Sequence, residues 1–578
     1  MNLAIKCFIV FLAALIMKIE SESQSYKVIS GGTIINPDSK AIPNGIILIQ
    51  DSIILEAGAK IGRKIPENAE IFDAKGKYII PGLIDSHIHF FQSGGLYARP
   101  DGLDLRKRVP YEKEMKQTWD NMEDLFRRYA ACGITTVFDM GGPYKNFDVR
   151  GMSLKFDFAP RVFTTGPLIA SYQPKELTTD DPPIIKVNDI NEALMLVNQE
   201  ASHSPDYIKI WYITEKKSSE DAEEFYPIVK AIIKESHSLG LKVMVHATEL
   251  ETARKAVEAG CDVLVHIITD KEIDEPFLKL CKSKGISVIP TLWVFNSYNA
   301  VYSKQLKLLP VEHWLGNPKT IGTLFDMYEI NYDELGERQR KLLVDKPQIK
   351  PSPIILHNLN ALRNYGINIA AGTDAGNVGV IHGPALFHEF DYMTKAGLTN
   401  KEILASATIN AAKMIGKDSI LGSVKSRKLA DLVILNSNPL EDIANMSDIE
   451  YVVKSGKLFT PAEILPKTPE DLAQIQLNAY NSRDLDAFLR CYSDDVEIYK
   501  FPDSLMYKGK EKMKELYGGF FDKAINLHCK LVNRINKDKF VIDQEFVNTG
   551  IPERENISAV AIYEVEGGFI KKVWFIRD

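Results

Sequence analysis

Short runs rich in β-branched residues alternate with segments of helical periodicity through most of the 578-residue chain. The clearest helical segments are Asp221–Leu239 and Leu250–Ala259. Such alternation is typical of an α/β protein, in which each strand of a parallel sheet is followed by a helix. We identify eight β-rich runs: Tyr78–Asp85, Ile134–Asp139, Arg161–Gly166, Tyr207–Ile213, Val243–Ala247, Val263–His266, Ser287–Thr291 and Ile367–Gly372.

Glycines stand where several of these helices should end. A glycine between a helix and the next strand favours a left-handed helix stop. Eight strand–helix units predict a (β/α)8 TIM barrel over residues 79–424. The long, charged segment Tyr298–Lys350 is predicted to be a helical insertion before the last unit. The glycines at predicted helix stops are Gly240, Gly260, Gly285 and Gly366.

Two β-rich pieces flank the barrel, and a third module follows them. Residues 26–78 and 425–462 both contain short strands with turn residues, and we expect them to close into one composite β-sandwich side domain. From about Thr468 a helical segment precedes several strand-like runs. Residues 469–578 are therefore predicted to form a separate α+β domain of a common size.

The first 25 residues have the composition of a secretory signal peptide. Lys6 precedes an apolar run, Cys7–Met17, and small residues follow at Ser21 and Ser23. The run is too short to cross a bilayer easily, although an uncleaved anchor is the alternative. We expect cleavage near Ser23 and export of the protein to the periplasm or the medium. No membrane span is expected in the mature chain.

Composition narrows the class of protein further. A content of 45% hydrophobic and 25% charged residues excludes a disordered, collagenous or coiled-coil chain. The net charge of -7 argues against a nucleic-acid partner, because phosphate contacts need clustered Lys and Arg. The cysteines beyond the leader have no CxxC spacing, and we expect free buried thiols at Cys132, Cys261, Cys281, Cys491 and Cys529.

The strongest local signal is a pair of histidines, His87 and His89, at the end of the first predicted barrel strand. Residues i and i+2 of a strand point to the same side, so both imidazoles should project into the barrel and begin a metal site. Other candidates end later strands, where barrel active sites are built. These are His246, His266 and Asp374. Four of the chain's 11 histidines thus fall at one predicted barrel mouth.

Lys209 is the sixth candidate residue for the metal site. Strand alternation places Ile208 and Ile210 outward and Lys209 inward. Burial lowers the pKa of a lysine, and a neutral amine can add carbon dioxide to become a carbamate able to bridge two metal ions. The alternative is an ion pair with an acid such as Asp139.

These residues resemble the metal set of the amidohydrolase superfamily, over about residues 26–462, and the nearest branch is imidazolonepropionase-like and prolidase-like. Pro81–Asp85, Gly372–Gly376 and Ala430–Leu435 strengthen the resemblance. It implies two divalent metal ions, zinc foremost, and a carboxylated Lys209 as bridging ligand. The chain departs from the pattern at Val265 and Ile267, which flank His266 where many relatives have Glu and Gly. It also departs at Arg427, where Gly is usual.

The resemblance implies hydrolysis of a carbon–nitrogen bond by water activated at the metals, with Asp374 as ligand, general base and then general acid. We expect a small substrate, such as a dipeptide, an N-acyl amino acid or a cyclic amide. There are two alternatives to amide hydrolysis. The chain could be a deaminase or lactonase that uses the same site, or a binding protein without catalytic activity. Loop residues that could contact substrate stay unassigned: Arg99, Arg106, Arg108, Tyr212, His382 and His388.

The helix–turn–helix–strand rhythm of Asp471–Glu497 resembles SnoaL-like domains of the nuclear transport factor 2 superfamily, over about residues 469–578. That resemblance implies a cone-shaped domain, a curved sheet wrapped by helices around an apolar pocket. No matching catalytic acid can be placed in it. We therefore expect it to serve association or ligand binding, and a homodimer or higher oligomer is the expected assembly.

Overall fold

A computed structural model describes residues 25–213, 219–552 and 554–577. The predicted signal peptide, including Cys7, lies outside these residues except for Ser25. Within the described ranges, no helix is long and apolar enough to cross a membrane.

Eight parallel strands form the predicted (β/α)8 barrel. The first and last strands meet through the Ser86 N–H, which donates to the Ala371 carbonyl at 2.9 Å. The third and fourth strands meet where the Asp206 N–H donates to the Thr164 carbonyl at 2.9 Å. The strands are Leu83–Ile88, Ile134–Asp139, Arg161–Thr164, Tyr207–Trp211, Lys242–His246, Val263–Val265, Ser287–Ile289 and Asn368–Ile369.

Helices surround the barrel and bury the outward side chains of its strands. Ile208 and Ile210 lie in the large core shared with these helices, as alternation predicts. The four predicted helix-stop glycines all have positive φ angles, which confirms that interpretation. The surrounding helices are Tyr111–Asp120, Met122–Ala131, Phe147–Ser153, Ile190–Ala201, Ser219–Ser238, Leu250–Ala259, Glu275–Lys284, Pro353–Asn364, Ala385–Lys395, Asn400–Ala405 and Ala411–Met414.

The predicted strand Tyr78–Asp85 is wrong in one respect, because it is two strands. Tyr78–Pro81 pairs with Leu432–Leu435 in the side domain, and the barrel strand begins at Leu83. Gly82 separates them, and a Cβ there would lie 2.2 Å from Thr135 Oγ1. The close approach of this junction to the neighbouring barrel strand Ile134–Asp139 thus requires glycine at position 82.

The two flanking pieces join in one eight-stranded sheet beside the barrel. Strand Tyr78–Pro81 connects the early strands to the late ones. Arg427 lies at the return to the late strands with φ +69°, the left-handed region that explains why glycine is usual there. The strands are Tyr26–Ile34, Ile42–Gln50, Ile53–Gly58, Glu70–Asp73, Tyr78–Pro81, Leu432–Leu435, Ile449–Lys454 and Lys457–Phe459.

The segment Tyr298–Lys350 is helical, as predicted, and it connects the barrel to the C-terminal domain. Asn478 Nδ2 donates to the Pro318 carbonyl at 2.7 Å, and the Arg490 guanidinium lies 4.2 Å from the Trp314 ring centroid. On the other side, Arg128 of the barrel donates to the Leu315 carbonyl at 3.0 Å, so the insertion packs against both units. Its helices are Val294–Tyr302, Pro310–Leu315, Pro318–Phe325 and Glu337–Asp345.

The C-terminal domain is a six-stranded sheet packed against three helices, with a hydrophobic core of its own. Inside it, Tyr563 donates to Glu545 Oε1 at 2.9 Å, and burial raises the pKa of Glu545 to about 7. The helices are Pro469–Ser482, Leu485–Arg490 and Lys510–Lys523. The strands, in sheet order, are Ser504–Lys508, Tyr492–Lys500, Phe569–Arg577, Ile557–Glu566, Phe540–Asn548 and His528–Lys537.

Candidate metal centre

All six residues singled out in the sequence line one cavity of about 360 Å³. It opens at the carboxyl ends of the barrel strands. His87 and Lys209 lie within strands, and the other four residues end or follow one. The structure brings together His87, His89, Lys209, His246, His266 and Asp374.

His87, His89 and Asp374 form the tightest part of the site. The Nε2 atoms of His87 and His89 lie 3.2 Å apart. Asp374 Oδ1 lies 3.3 Å from His87 Nε2 and 3.2 Å from His89 Nε2. Ligand atoms of His87, His266 and Asp374 all lie within 4.8 Å of one another, a spacing that one metal ion could share.

Two hydrogen bonds fix the orientation of these imidazoles. His89 Nδ1 lies 2.7 Å from the Gly141 carbonyl oxygen, so it carries the proton and donates it. His266 Nδ1 lies 2.6 Å from Thr291 Oγ1. Thr291 therefore holds the His266 ring, next to which this chain has Val265 and Ile267 instead of Glu and Gly. When Nδ1 carries the proton, Nε2 of each ring is free to bind a metal, which is the usual arrangement of hydrogen bonds around metal-bound histidines.

The backbone is left-handed at two of the candidate ligands. His266 has φ +73° and Asp374 has φ +62°. Such angles cost about 1–3 kcal/mol for a non-glycine residue and cluster at functional sites, where the surrounding structure holds them. Here the Asp374 N–H donates to the His87 carbonyl at 2.7 Å, and the His266 N–H donates to the Ile289 carbonyl at 2.7 Å.

Asp85 is a supporting residue that the sequence reasoning missed. Its carboxylate accepts from the Thr373 hydroxyl at 2.8 Å and from the backbone N–H groups of Thr373 and His87. Burial raises the pKa of Asp85 to about 7. It thus connects the first strand to the loop that carries Asp374. Its place in the strand, two residues before His87 and on the same side, was the available signal.

Lys209 is buried, and its amine has no hydrogen-bond partner among the residues that the structure describes. Burial lowers the pKa of Lys209 to about 7, although the nearby Asp374 opposes this effect. The alternative of an ion pair with Asp139 is wrong. Asp139 instead accepts from Asn146 Nδ2 at 2.9 Å, and burial raises its pKa to about 8.

The donor set fits divalent metal ions. Lys209 Nζ and Asp374 Oδ1 are buried without a hydrogen-bond partner in the described part of the chain, which is costly unless another group satisfies them. Burial holds the pKa of His87, His246 and His266 well below the ordinary range. These imidazoles are therefore neutral, which is the form that binds metals.

The cavity walls combine aromatic rings with two arginines. Arg99 is already paired, since it bonds Asp101 and donates to Asn377 Oδ1 at 2.6 Å. Arg338, on the insertion helix Glu337–Asp345, also lines the cavity, and its side chain makes one hydrogen bond to a described residue, at 3.5 Å to Asn299. The aromatic residues of the wall are Phe91, Trp211, Phe295 and Tyr298.

The other unassigned loop residues lie away from the cavity lining. Arg106 bonds Asp104 and Arg108 bonds Glu334. The Tyr212 hydroxyl donates to the Ala222 carbonyl. Both nitrogens of His382 are used, by Tyr129 and by the Gln92 carbonyl, and His388 contacts Glu312 at 2.8 Å. The five free cysteines are buried, as expected.

Comparison with known proteins agrees with this architecture. Residues 78–459 match the model of the amidohydrolase family, and residues 474–573 match that of the SnoaL-like domain. Imidazolonepropionase of Geobacillus kaustophilus is 22% identical over 469 residues, covering 73% of this chain and 91% of that protein. An uncharacterized protein of Mycobacterium tuberculosis is 21% identical over 393 residues, covering 68% and 87%. The structure of a Xaa-Pro dipeptidase with bound methionine aligns with a TM-score of 0.56 and 23% identity, covering 75% of this chain and 100% of that one.

Proposed function

Because the chain belongs to the amidohydrolase family, and is thus a metal-dependent hydrolase of carbon–nitrogen bonds, we propose that it cleaves an amide bond in a small carboxylate-bearing substrate. The observation that carries this proposal is the cluster of six polar side chains in one cavity, with the Lys209 amine and the Asp374 carboxylate unsatisfied. Dipeptides and N-acyl amino acids are the substrates that fit best, followed by cyclic amides.

We assign the metal-holding role to His87, His89, His246, His266, Asp374 and a carboxylated Lys209. Two divalent ions, zinc foremost, match this set of imidazoles and carboxylates. When bound, such ions lower the pKa of water and polarise a carbonyl group. Carboxylation suits Lys209, because a carbamate turns a buried, unpaired amine into an anion that faces the imidazoles.

Asp374 is the proton carrier in this proposal. It accepts the proton of the attacking water and then delivers it to the leaving nitrogen, acting as general base and then general acid. Its Oδ1 has no hydrogen-bond partner among the described residues, and is thus available for a proton. The bond from the Asp374 N–H to the His87 carbonyl, 2.7 Å long, keeps the carboxylate in place during the transfer.

Arg338 is the residue we assign to the substrate carboxylate. Its guanidinium faces the cavity and pairs with none of the described acids, whereas Arg99 is already bonded to Asp101. A guanidinium binds a carboxylate through two parallel hydrogen bonds. The aromatic walls around Trp211 and Phe295 would hold an apolar side chain of the substrate.

The direct test is a screen of the zinc-loaded protein against dipeptides, N-acyl amino acids and cyclic amides. Release of a free amine or amino acid from one of these classes would support the proposal. Ammonia release without peptide cleavage would point to deamination, and hydrolysis of lactones alone would point to a lactonase.

The role of Arg338 is tested with paired substrates. Arg338→Met should raise KM for a carboxylate substrate by about 10-fold or more, and leave KM for the corresponding carboxamide unchanged, because a charge-assisted bond is lost only for the former. Arg340→Met, on the same helix and outside the cavity lining, is the control. Equal losses on both substrates would contradict this role.

We further propose that residues 1–25 direct export and are removed near Ser23, and that the protein self-associates through its C-terminal domain. Exposed apolar side chains at Val532, Phe546 and Ile576 on that sheet support association. Mass spectrometry of the N-terminus in each cell fraction tests export. Light scattering of the purified protein tests assembly, and a strictly monomeric species would contradict association.

A further inference from the structure

A second cavity, of about 660 Å³, lies between the barrel and the C-terminal domain. One wall comes from the barrel side, from the end of helix Val294–Tyr302 to the loop around Lys346. The other wall comes from the C-terminal domain at Arg483 and Ile525. Its volume is in the range of small-molecule sites. None of the six candidate metal ligands lines it.

Positive charge in this cavity has no matching negative charge. Among the described residues that line it, the single carboxylate is Asp391, which is paired with Lys395. The remaining cations make no ion pair with any residue that the structure describes. They are Lys304, Lys307, Lys346 and Arg483.

Lys304 and Arg483 both lie near the Tyr328 ring, and Lys346 lies near Lys304. The Lys304 amine lies 5.0 Å from the Tyr328 ring centroid. Burial raises the pKa of Tyr328, and the charge of Arg483 partly opposes that increase. Burial and the charge of Lys346 lower the pKa of Lys304. Like charges held together without a partner are unfavourable, and a bound anion would relieve the repulsion.

The rest of the lining is apolar and aromatic. Leu306, Phe325 and Ile349 face the cavity from the barrel side, and Ile525 faces it from the C-terminal domain with 62% of its surface exposed. An inorganic anion would leave this surface uncovered. We therefore propose that the interdomain cavity binds an organic anion that carries two or more negative charges on an aromatic body, such as an aromatic phosphate ester or a polysulfonate.

Such a ligand would contact the helix that also forms part of the wall of the metal-site cavity. Helix Val294–Tyr302 contributes Val294, Phe295 and Tyr298 to the metal-site cavity, and it contributes Ala300 and Val301 to the interdomain one. The Tyr298 hydroxyl donates to Asn377 Oδ1 at 2.6 Å, and Asn377 Nδ2 donates to the Asp374 carbonyl at 3.0 Å. The interdomain ligand would thus lie one helix away from the proposed proton carrier.

The test uses the full-length protein and pyranine, a fluorescent aromatic trisulfonate, in an anisotropy titration. We expect saturable binding, and adenosine monophosphate should displace the dye at lower concentration than inorganic phosphate. The double variant Lys304→Gln/Arg483→Gln should weaken dye binding by about 10-fold or more, because two charged contacts are lost. Lys155→Gln/Lys284→Gln removes the same charge elsewhere and should leave binding unchanged.

Three results would overturn this proposal. They are absence of saturable binding, equal weakening in both double variants, and displacement by phosphate as effective as by the nucleotide. Ile525→Asp is a second, independent test of the site, because it changes one exposed side chain and adds negative charge to the cavity wall. It should also weaken binding, and unchanged affinity in this variant would contradict the assigned location.

Discussion

Asp374 makes two contacts with His87 at the point where the last barrel strand lies beside the first. The Asp374 N–H donates to the His87 carbonyl at 2.7 Å, and Asp374 Oδ1 lies 3.3 Å from His87 Nε2. The first contact belongs to the backbone and does not depend on the side chain. The fold therefore sets the separation of these two groups before any metal binds.

Replacement of Asp374 by Asn should abolish proton transfer and leave the backbone contact to His87 intact. We expect kcat to fall by about 10²–10⁴-fold, the range for loss of a general acid–base group. Steady-state kinetics together with metal analysis of the same sample provide the measurement. Asp418→Asn, the same change at an exposed position outside the cavity lining, is the matched control. Full activity of Asp374→Asn with metal bound would disprove the assigned role.

Lys209 should carry carbon dioxide when metal is bound. Apo-protein reloaded with zinc in the presence of ¹³C-bicarbonate should show a carbamate signal by ¹³C NMR, and reloading without bicarbonate should restore less activity. Lys209→Arg should lack the signal. Lys454→Arg should retain it, because Lys454 is a buried lysine paired with Asp431 at 3.3 Å. A signal that persists in Lys209→Arg would assign the carbamate elsewhere.

Thr291→Val should weaken metal binding without unfolding the barrel. The change removes the hydroxyl that lies 2.6 Å from His266 Nδ1 and keeps the side-chain shape. Loss of such an outer contact typically costs about 10–100-fold in metal affinity. Competition with a zinc chelator measures this, and Thr269→Val is the control, since Thr269 bonds the Thr248 carbonyl away from the site. Identical affinities in the two variants would count against Thr291.

Glu545 makes the stability of the C-terminal domain dependent on pH. Burial raises its pKa from 4.5 to about 7, so the folded state holds a proton that the unfolded state releases above pH 4.5. Its contribution is present below pH 4.5 and is lost as pH rises through about 7. Glu545→Gln stays neutral, and should therefore gain about 1–3 kcal/mol relative to wild type between pH 5 and pH 8.

Hydrogen exchange of the amides in Phe540–Asn548 follows this stability in the full-length chain. Glu511→Gln, on the exposed side of its helix, is the control and should show the same pH dependence as wild type, because it keeps Glu545. A stability difference between Glu545→Gln and wild type that stays constant from pH 5 to pH 8 would rule out the buried acid as the cause.

The candidate ligands could be predicted because strand periodicity determines direction. Alternation placed His87 and His89 on one side and Lys209 between two outward isoleucines, and the structure has this arrangement. Supporting residues could not be predicted in the same way. Thr291 has a short polar side chain common at strand ends, and its function depends on the left-handed backbone of His266, which no sequence pattern indicates.

Contacts between segments that are distant in sequence could not be predicted either. Arg338 lies on an exposed, charged helix, and reaches the metal-site cavity only because the insertion folds back over the barrel mouth. The interdomain cavity likewise joins Lys304 to Arg483. Such contacts depend on tertiary packing rather than on local periodicity, which carries information over only a few turns.

The number of metal ions per chain shows whether the six candidate ligands hold metal. Elemental analysis of the purified full-length protein, after dialysis to remove loose ions, should give two divalent metal ions per chain. The same measurement on His87→Ala should give a clear loss, because its imidazole lies against both His89 and Asp374. A wild-type protein without stoichiometric metal would contradict the account, and one ion beside an uncarboxylated Lys209 would contradict its two-metal form.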